Sequence, residues 1–218
     1  MPNLFTKVVA EFVGTALLVC IVVGSSIMGT NLSSDMAVAL LVNTASTVFG
    51  LALLILVLGP ISGAHFNPAV TLVMLAKKSI ALGQAALYSV AQVLGAIAGA
   101  ILANVMFDQA AIQFSDQARI TAGTFVGEVI ATAGLIVVIL VFVSRKNDNH
   151  VAIAVAAWIG SAYFFTSSTS FANPAVTVGR IFSDTFAGID PASVAPFVLA
   201  QLIGAGVGFF AAKALVRN

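Results

Sequence analysis

The sequence has 218 residues, of which 60% are hydrophobic and 8% are charged, and its formal net charge is +1. Soluble domains carry about 25% charged residues, so this composition excludes an ordinary soluble protein. The near-neutral charge also predicts that nucleic acid is not a partner. We therefore expect an integral, multi-pass protein whose surroundings are the lipid bilayer.

Six long apolar stretches follow one another along the chain, at residues 8–32, 36–61, 80–107, 120–143, 151–170 and 194–212. A helix needs about 20 apolar residues to cross about 30 Å of hydrocarbon, and each stretch is close to or above that length. We predict six transmembrane helices in one all-α membrane domain. Because Glu11 interrupts the first stretch, we expect it to be retained as a helix rather than cleaved as a signal peptide.

Loop charges predict the orientation of these helices. With six spans, both termini lie on one side of the membrane, and that side carries most of the basic residues. Lysine and arginine are enriched in cytoplasmic loops, so both termini should be cytoplasmic. The basic residues on the side of the termini are Lys7, Lys77, Lys78, Arg145, Lys146, Lys213 and Arg217, against Arg119 and Arg180 on the other side.

Three segments of the first half of the chain recur in the same order in the second half. They begin at Glu11 and Glu128, at Asn67 and Asn173, and at Ala91 and Ala200. Three predicted helices separate the start of one half from the start of the other. This odd number requires the second half to be inverted across the membrane. We predict inverted repeats at approximately residues 1–108 and 119–218.

The tripeptide Asn-Pro-Ala occurs twice, at Asn67-Pro68-Ala69 and Asn173-Pro174-Ala175. Asparagine is a favoured helix N-cap and proline a favoured first helical residue, so each motif predicts the start of a helix. About ten residues separate the first motif from the lysine pair that follows it, which is about 15 Å of helix, or half the membrane. The segments before the motifs, residues 61–66 and 166–172, are rich in Gly, Ser and Thr. Irregular backbone at this depth must be buried or line a watery cavity.

Two inverted half-helices predict a shared central pore. Their positive ends, each carrying about half an elementary charge, would meet near the midplane and repel cations and protons. The side-chain amides of Asn67 and Asn173 would donate hydrogen bonds to a passing oxygen atom. This combination favours water and small uncharged solutes such as polyols.

The segment of residues 62–71, Ser-Gly-Ala-His-Phe-Asn-Pro-Ala-Val-Thr, resembles the first signature of the aquaporin and aquaglyceroporin family. The resemblance extends over essentially the whole chain. It implies a right-handed bundle of six tilted helices and two half-helices, assembled as a homotetramer with one pore per subunit. It also implies that His65 faces the cytoplasmic vestibule.

Two carboxylates, Glu11 and Glu128, occupy matching places in the first and fourth predicted helices, where an unpaired charge costs about 3 kcal/mol. A proton relay is one interpretation. We favour a structural one, supported by the family resemblance, in which each carboxylate accepts hydrogen bonds from a re-entrant loop. Gln92 and Gln201 are expected to brace helices. Close helix contacts are expected at Gly95, Gly99, Gly204 and Gly208.

Most members of the family carry an arginine directly after the second motif, where this chain has Val176. Ungapped counting from the motifs assigns the other filter positions to Thr47, Ser161 and Ser170, all small. This filter resembles that of bacterial members associated with arsenic-resistance genes, which implies a bacterial inner membrane. A wide filter would admit glycerol-sized solutes or neutral metalloid acids such as arsenite. Arg180, one helical turn beyond Val176, is an alternative source of positive charge.

Two other functions stay open. A strictly water-selective channel would share the paired motifs, and a secondary active transporter can also contain inverted repeats and broken helices. The chain has two histidines, His65 and His150, and one cysteine, Cys20, which form no pattern typical of an active site. We therefore predict a protein that is not an enzyme and that requires neither a cofactor nor a metal.

Overall fold

The computed structural model describes residues 2–145 and 148–216, and the regular structure in those ranges is helical. Lys146 and Arg217, two of the residues used to predict the orientation, lie outside the described residues. The helices are α1 (Leu4–Leu32), α2 (Met36–Ser62), α3 (Pro68–Ala76), α4 (Leu82–Met106), α5 (Ala122–Ser144), α6 (Asp148–Phe165), α7 (Pro174–Gly179) and α8 (Pro191–Leu215), with a 3-10 turn, Arg180–Phe182, directly after α7.

Five of the described helices, α1, α2, α4, α5 and α8, are long and apolar enough to cross a membrane. The sixth predicted span, residues 151–170, was wrong at its carboxyl end, because α6 ends at Phe165. A run of hydroxyl side chains follows, and the Ser168 hydroxyl accepts a hydrogen bond from the backbone N–H of Ser170. Such local bonds compete with the helix, and Thr169 and Ser170 adopt left-handed φ angles of 60° and 52°.

Side-chain caps set several of the helix ends. Asn3 accepts a hydrogen bond from the backbone N–H of Thr6 at 2.8 Å and starts α1. Asp35 and Asp190 cap α2 and α8 in the same way. At its other end α2 stops at Gly63, whose φ of +94° strains any residue with a β-carbon. These signals allow short connections between long helices.

Glycines hold the long helices together in two matching pairs, α1 against α4 and α5 against α8. A β-carbon at Gly99 would overlap the carbonyl oxygen of Ala16, and one at Gly208 would overlap that of Ala133. Gly95 and Gly204 make equivalent approaches to α1 and α5. Small residues at this spacing let helix backbones approach closely in a membrane.

The two short helices, α3 and α7, lie inside the bundle and pack against α4 and α8. α3 has 9 residues, a length of about 14 Å at 1.5 Å per residue, so it cannot cross the membrane. The first residues of both helices are buried, and Ala69 and Ala175 are each 0% exposed. Both motifs are therefore placed at the centre of the protein.

Candidate functional site

The two Asn-Pro-Ala motifs start α3 and α7 with the same capping geometry. The side-chain oxygen of Asn67 accepts a hydrogen bond from the N–H of Ala69 at 2.9 Å. The side-chain oxygen of Asn173 accepts from Ala175 at 3.0 Å. In both motifs the proline occupies the first turn, where a missing N–H leaves no hydrogen bond unmade.

The same two asparagines tie the halves of the chain together. Asn67 Nδ2 donates to the carbonyl oxygen of Ala172, and Asn173 Nδ2 donates to that of Phe66, both at 2.7 Å. Each motif thus holds the loop that precedes the other motif. An amide nitrogen carries two N–H groups, so one N–H of each asparagine remains available to a solute.

The loops before the motifs have matching strained backbones. Ala64 and Phe66 precede α3 with φ angles of 47° and 48°, and Ser170 and Ala172 precede α7 with φ angles of 52° and 48°. Left-handed backbone at residues other than glycine costs about 1–3 kcal/mol each. Contacts elsewhere must stabilise these loops.

Glu11 supplies that stabilisation for the first loop. One carboxylate oxygen accepts hydrogen bonds from the Ser62 hydroxyl at 2.6 Å and the His65 N–H at 2.9 Å. The other oxygen accepts from the Phe66 N–H at 2.7 Å and from Gln92 Nε2 at 2.8 Å. The side chain is 0% exposed, and four donors balance the charge of this buried carboxylate.

Glu128 does the same for the second loop. Its carboxylate accepts hydrogen bonds from the backbone N–H of Phe171 at 2.9 Å and of Ala172 at 2.8 Å, and from Gln201 Nε2 at 2.7 Å. Both glutamates are therefore oriented toward loop backbone rather than toward the open space of the bundle. This geometry suits a bracing role better than a proton relay.

A cavity of ≈ 570 Å³ passes through the centre of the bundle. Asn67 and Asn173 both lie on its wall. One end, which we call the mouth, is lined by Thr47, Tyr163, Ser170, Phe171, Val176 and Arg180. The opposite end is lined by Met74, Ser79, Val143 and Val151. The cavity therefore links the two ends of the bundle past both motifs.

His65 lies on the cavity wall between the end of α2 and the first motif. Its Nδ1 lies 3.1 Å from the Thr71 hydroxyl, and its ring meets that of Tyr88 edge-on with centroids 5.4 Å apart. The Tyr88 hydroxyl in turn donates to the carbonyl of Ser62. These contacts fix the imidazole against the wall on the side of the opposite end.

Three of the four expected filter residues, Thr47, Ser170 and Val176, are buried and line the mouth. The assignment of Ser161 was wrong, because its side chain is exposed on the outside of α6 and is not part of the cavity wall. Tyr163 takes the place on α6, and its hydroxyl lies 3.3 Å from that of Thr47. A phenol thus stands where a small hydroxyl was expected.

Helix geometry explains this difference. The residues of α6 that line the cavity are Ala152, Val155, Ile159 and Tyr163, a stripe with spacings of three and four. Ser161 lies two residues from this stripe, which rotates it by about 200° around the helix axis. Counting back from Asn173 assumed a fixed length for the loop before α7 and therefore selected the wrong face.

Arg180 lies on the wall of the mouth and is 3% exposed. Its guanidinium carbon lies 3.4 Å from the centroid of the Phe171 ring, and its Nε donates to the carbonyl of Ala187. Arg180 is the first residue of the 3-10 turn that follows α7, and its side chain is part of the cavity wall. A positive charge is therefore present near Val176, although Val176 itself is apolar.

Arg119, in the loop between α4 and α5, lies near the same aromatic ring. Its guanidinium carbon is 5.4 Å from the Phe171 centroid, and it donates to the carbonyls of Phe186 and Gly188. Burial lowers the pKa of the Arg119 guanidinium to about 10, so it is still a cation at neutral pH. Arg119 itself does not line the cavity.

Several residues of the site were missed by sequence reasoning. The cavity-lining residues of α6 follow a helical period in the sequence, and this period predicts Tyr163 rather than Ser161 as the cavity-facing residue. No local signal marks Arg119, since its partners lie 67 and 69 residues further along the chain. Phe171 was missed for the same reason, because its ring contacts two arginines, Arg119 and Arg180, that are distant from each other in the sequence.

Comparisons with known proteins agree with this fold. The family model "Major intrinsic protein" matches residues 1–169. Aquaglyceroporin AqpS of Rhizobium meliloti strain 1021 is 45% identical over 203 residues, which are 93% of this chain and 87% of that protein. Aquaporin-1 of Rattus norvegicus is 36% identical over 151 residues, 65% of this chain and 56% of that protein.

The X-ray structure of the aquaglyceroporin from Plasmodium falciparum has the same fold, with a TM-score of 0.74. The match covers 99% of this chain and 96% of that chain at 24% sequence identity. The paired motifs, the bundle and these matches lead to one assignment. The chain belongs to the major intrinsic protein family, that of the aquaporins and aquaglyceroporins, and is a membrane channel rather than an enzyme.

Proposed function

We propose that this protein is a passive channel for water and small neutral solutes up to the size of glycerol, including neutral metalloid acids such as arsenite. The observation that carries the proposal is the composition of the cavity wall. In the described part of the chain that wall includes both motif asparagines but neither an aspartate nor a glutamate nor a lysine. A cation that loses its hydration shell finds no counter-charge there, whereas a neutral solute finds hydrogen-bond partners.

Two further points support a solute larger than water. Val176 is apolar, lies at the mouth and is smaller than the arginine that most members of the family carry at this position. The 45%-identical relative is named an aquaglyceroporin. Glycerol and neutral As(OH)₃ both present hydroxyl groups, which one N–H each of Asn67 and Asn173 would recognise.

The strictly water-selective channel is the second candidate. Tyr163 and Arg180 favour it, because both are bulky and both line the mouth. Stopped-flow light scattering on proteoliposomes separates the two candidates. We expect shrinkage followed by reswelling in glycerol and in arsenite at neutral pH, and a water flux that excludes both solutes would overturn the wider channel.

The transporter alternative makes a different prediction, because coupling requires a driving ion. The carboxylates that such coupling would use, Glu11 and Glu128, are engaged by loop donors. We expect glycerol uptake to be independent of imposed proton and sodium gradients. Gradient-driven accumulation above the external concentration would reverse this assignment.

The arrangement in the membrane belongs to the same proposal. Matching contacts of Glu11 and Glu128 support inverted repeats of approximately residues 1–108 and 119–218. The excess of basic residues on the side of the termini supports a cytoplasmic location for both termini, and the mouth would then open outside the cell. The bacterial relative supports an inner-membrane location, and the family resemblance supports a homotetramer with one pore per subunit. Protease protection in spheroplasts tests the cytoplasmic location of the termini, and native mass spectrometry tests the homotetramer.

A further inference from the structure

Arg180 has an environment that the family motifs do not explain. It is almost completely buried, yet its described hydrogen bond goes to a backbone carbonyl, that of Ala187, through Nε. The ring of Phe171 covers one face of the guanidinium. A guanidinium has five N–H donors, so its two terminal amino groups remain available on the wall of the mouth.

The loop after α7 holds this side chain in place. Three consecutive carbonyls of that loop accept hydrogen bonds from arginines, Phe186 and Gly188 from Arg119, and Ala187 from Arg180. Both guanidiniums lie beside the Phe171 ring. The loop and the two arginines therefore form one unit, which we call the mouth clamp (Arg119, Phe171, Arg180 and the carbonyls of residues 186–188).

Gly188 shows how closely the mouth clamp is packed. A β-carbon at this position would overlap the Ser115 hydroxyl and the Ser183 carbonyl oxygen. The backbone N–H of Ile189 also donates to the carbonyl of Arg180 at 3.3 Å. The position of the Arg180 guanidinium is thus determined by contacts from outside its own helix.

We propose that Arg180 is the residue that excludes cations and selects solutes at the mouth, and that Arg119 is a positioning residue that acts on it through the mouth clamp. The inference rests on the proposed channel function. A fixed positive charge on the wall of the mouth repels protons and ammonium-sized cations, while its terminal N–H groups attract solutes with lone pairs. Thr47 and Tyr163 provide hydroxyl groups on the wall of the same mouth.

The test uses the full-length protein in proteoliposomes, with two readouts on each preparation. Light scattering reports water flux, and an enclosed pH-sensitive dye reports entry of protons and of methylammonium. We expect Arg180→Ala and Arg180→Gln to raise cation entry relative to water flux by about tenfold or more. Arg180→Lys should keep most of the exclusion, because the charge remains.

Arg119 gives the second arm of the test. Arg119→Ala should raise cation entry in the same direction but less, and Arg119→Lys should restore exclusion because a lysine can still donate to the loop. Lys213→Ala is the matched control, since Lys213 also lies over a phenylalanine ring, that of Phe209, but outside the cavity. We expect this control to behave as the wild type.

The measurements distinguish a failure of the roles proposed for Arg180 and Arg119 from a failure of the proposed channel function. Unchanged cation exclusion in both Arg180→Ala and Arg180→Gln, with water flux retained, would overturn the role of Arg180. An effect of Arg180 without any effect of Arg119→Ala would overturn the positioning role. A wild type that conducts water but not glycerol would contradict the proposed solute range and leave the cation measurement intact.

Discussion

The hydroxyl groups of Thr47 and Tyr163 lie 3.3 Å apart and join α2 to α6 on the wall of the mouth. Both side chains are buried. The contact sets the spacing between two helices from different halves of the chain. The width of the mouth therefore depends on a tyrosine that motif counting does not select.

Replacing Tyr163 by serine should widen the mouth. The phenol ring is lost while a hydroxyl remains, so we expect the ratio of glycerol to water permeability to rise on the order of tenfold. Ser161→Ala is the control, because Ser161 faces away from the cavity. Stopped-flow light scattering measures both. If the ratio of glycerol to water permeability rose with Ser161→Ala but not with Tyr163→Ser, Ser161 rather than Tyr163 would be the filter residue of α6.

The sequence predicted those parts of the site that short-range chemistry determines. Asn-Pro is both a cap and a helix start, and α3 and α7 begin at these residues. A glutamate in an apolar stretch requires donors, and the loops before the motifs provide them. The helix caps and the need for donors to a buried carboxylate can each be recognised from a few neighbouring residues or from a repeated segment.

The mouth was less predictable, because its geometry depends on long-range contacts. Arg180 was an alternative source of positive charge in the sequence, and its position depends on the carbonyl of Ala187, seven residues away, and on Phe171. Ser161 was selected by counting across a loop of unknown length. Helix rotation rather than distance from the motif decides which residue of α6 faces the cavity.

The buried carboxylates should matter more for stability than for transport selectivity. Glu11→Gln retains the shape but replaces one acceptor oxygen by an NH₂ group among four donors. We expect the free energy of unfolding to fall by about 3 kcal/mol, since buried donors lose their partner. Thermal unfolding in detergent should show a lower midpoint.

The control for this measurement is Asp35→Asn. Asp35 is an exposed cap of α2, and asparagine caps helices about as well as aspartate. The midpoint should therefore move little. Equal shifts in Glu11→Gln and Asp35→Asn would show that the hydrogen bonds to the buried carboxylate contribute no more than an ordinary cap.

Each motif asparagine caps a half-helix with its side-chain oxygen and donates a hydrogen bond to the opposite loop with its amide nitrogen. Substitutions can separate these two roles. Asn173→Ser keeps an oxygen to cap α7 but removes the amide that donates to Phe66. Asn173→Ala removes both, so we expect it to destabilise the protein by about 1 kcal/mol more than the serine variant does. Denaturation in detergent gives this difference. Identical stabilities would mean that the cap contributes nothing at this buried helix start.

Two glycines of α8, Gly206 and Gly208, should respond in opposite directions to the addition of one methyl group. At Gly208 a β-carbon overlaps the Ala133 carbonyl, while at Gly206 nothing lies within 4 Å of that position. Overpacking costs about 1–3 kcal/mol, so Gly208→Ala should be less stable than the wild type. Gly206→Ala should be up to about 1 kcal/mol more stable, since alanine favours a helix interior. Thermal midpoints that move the same way in both variants would contradict a close α5–α8 contact at Gly208.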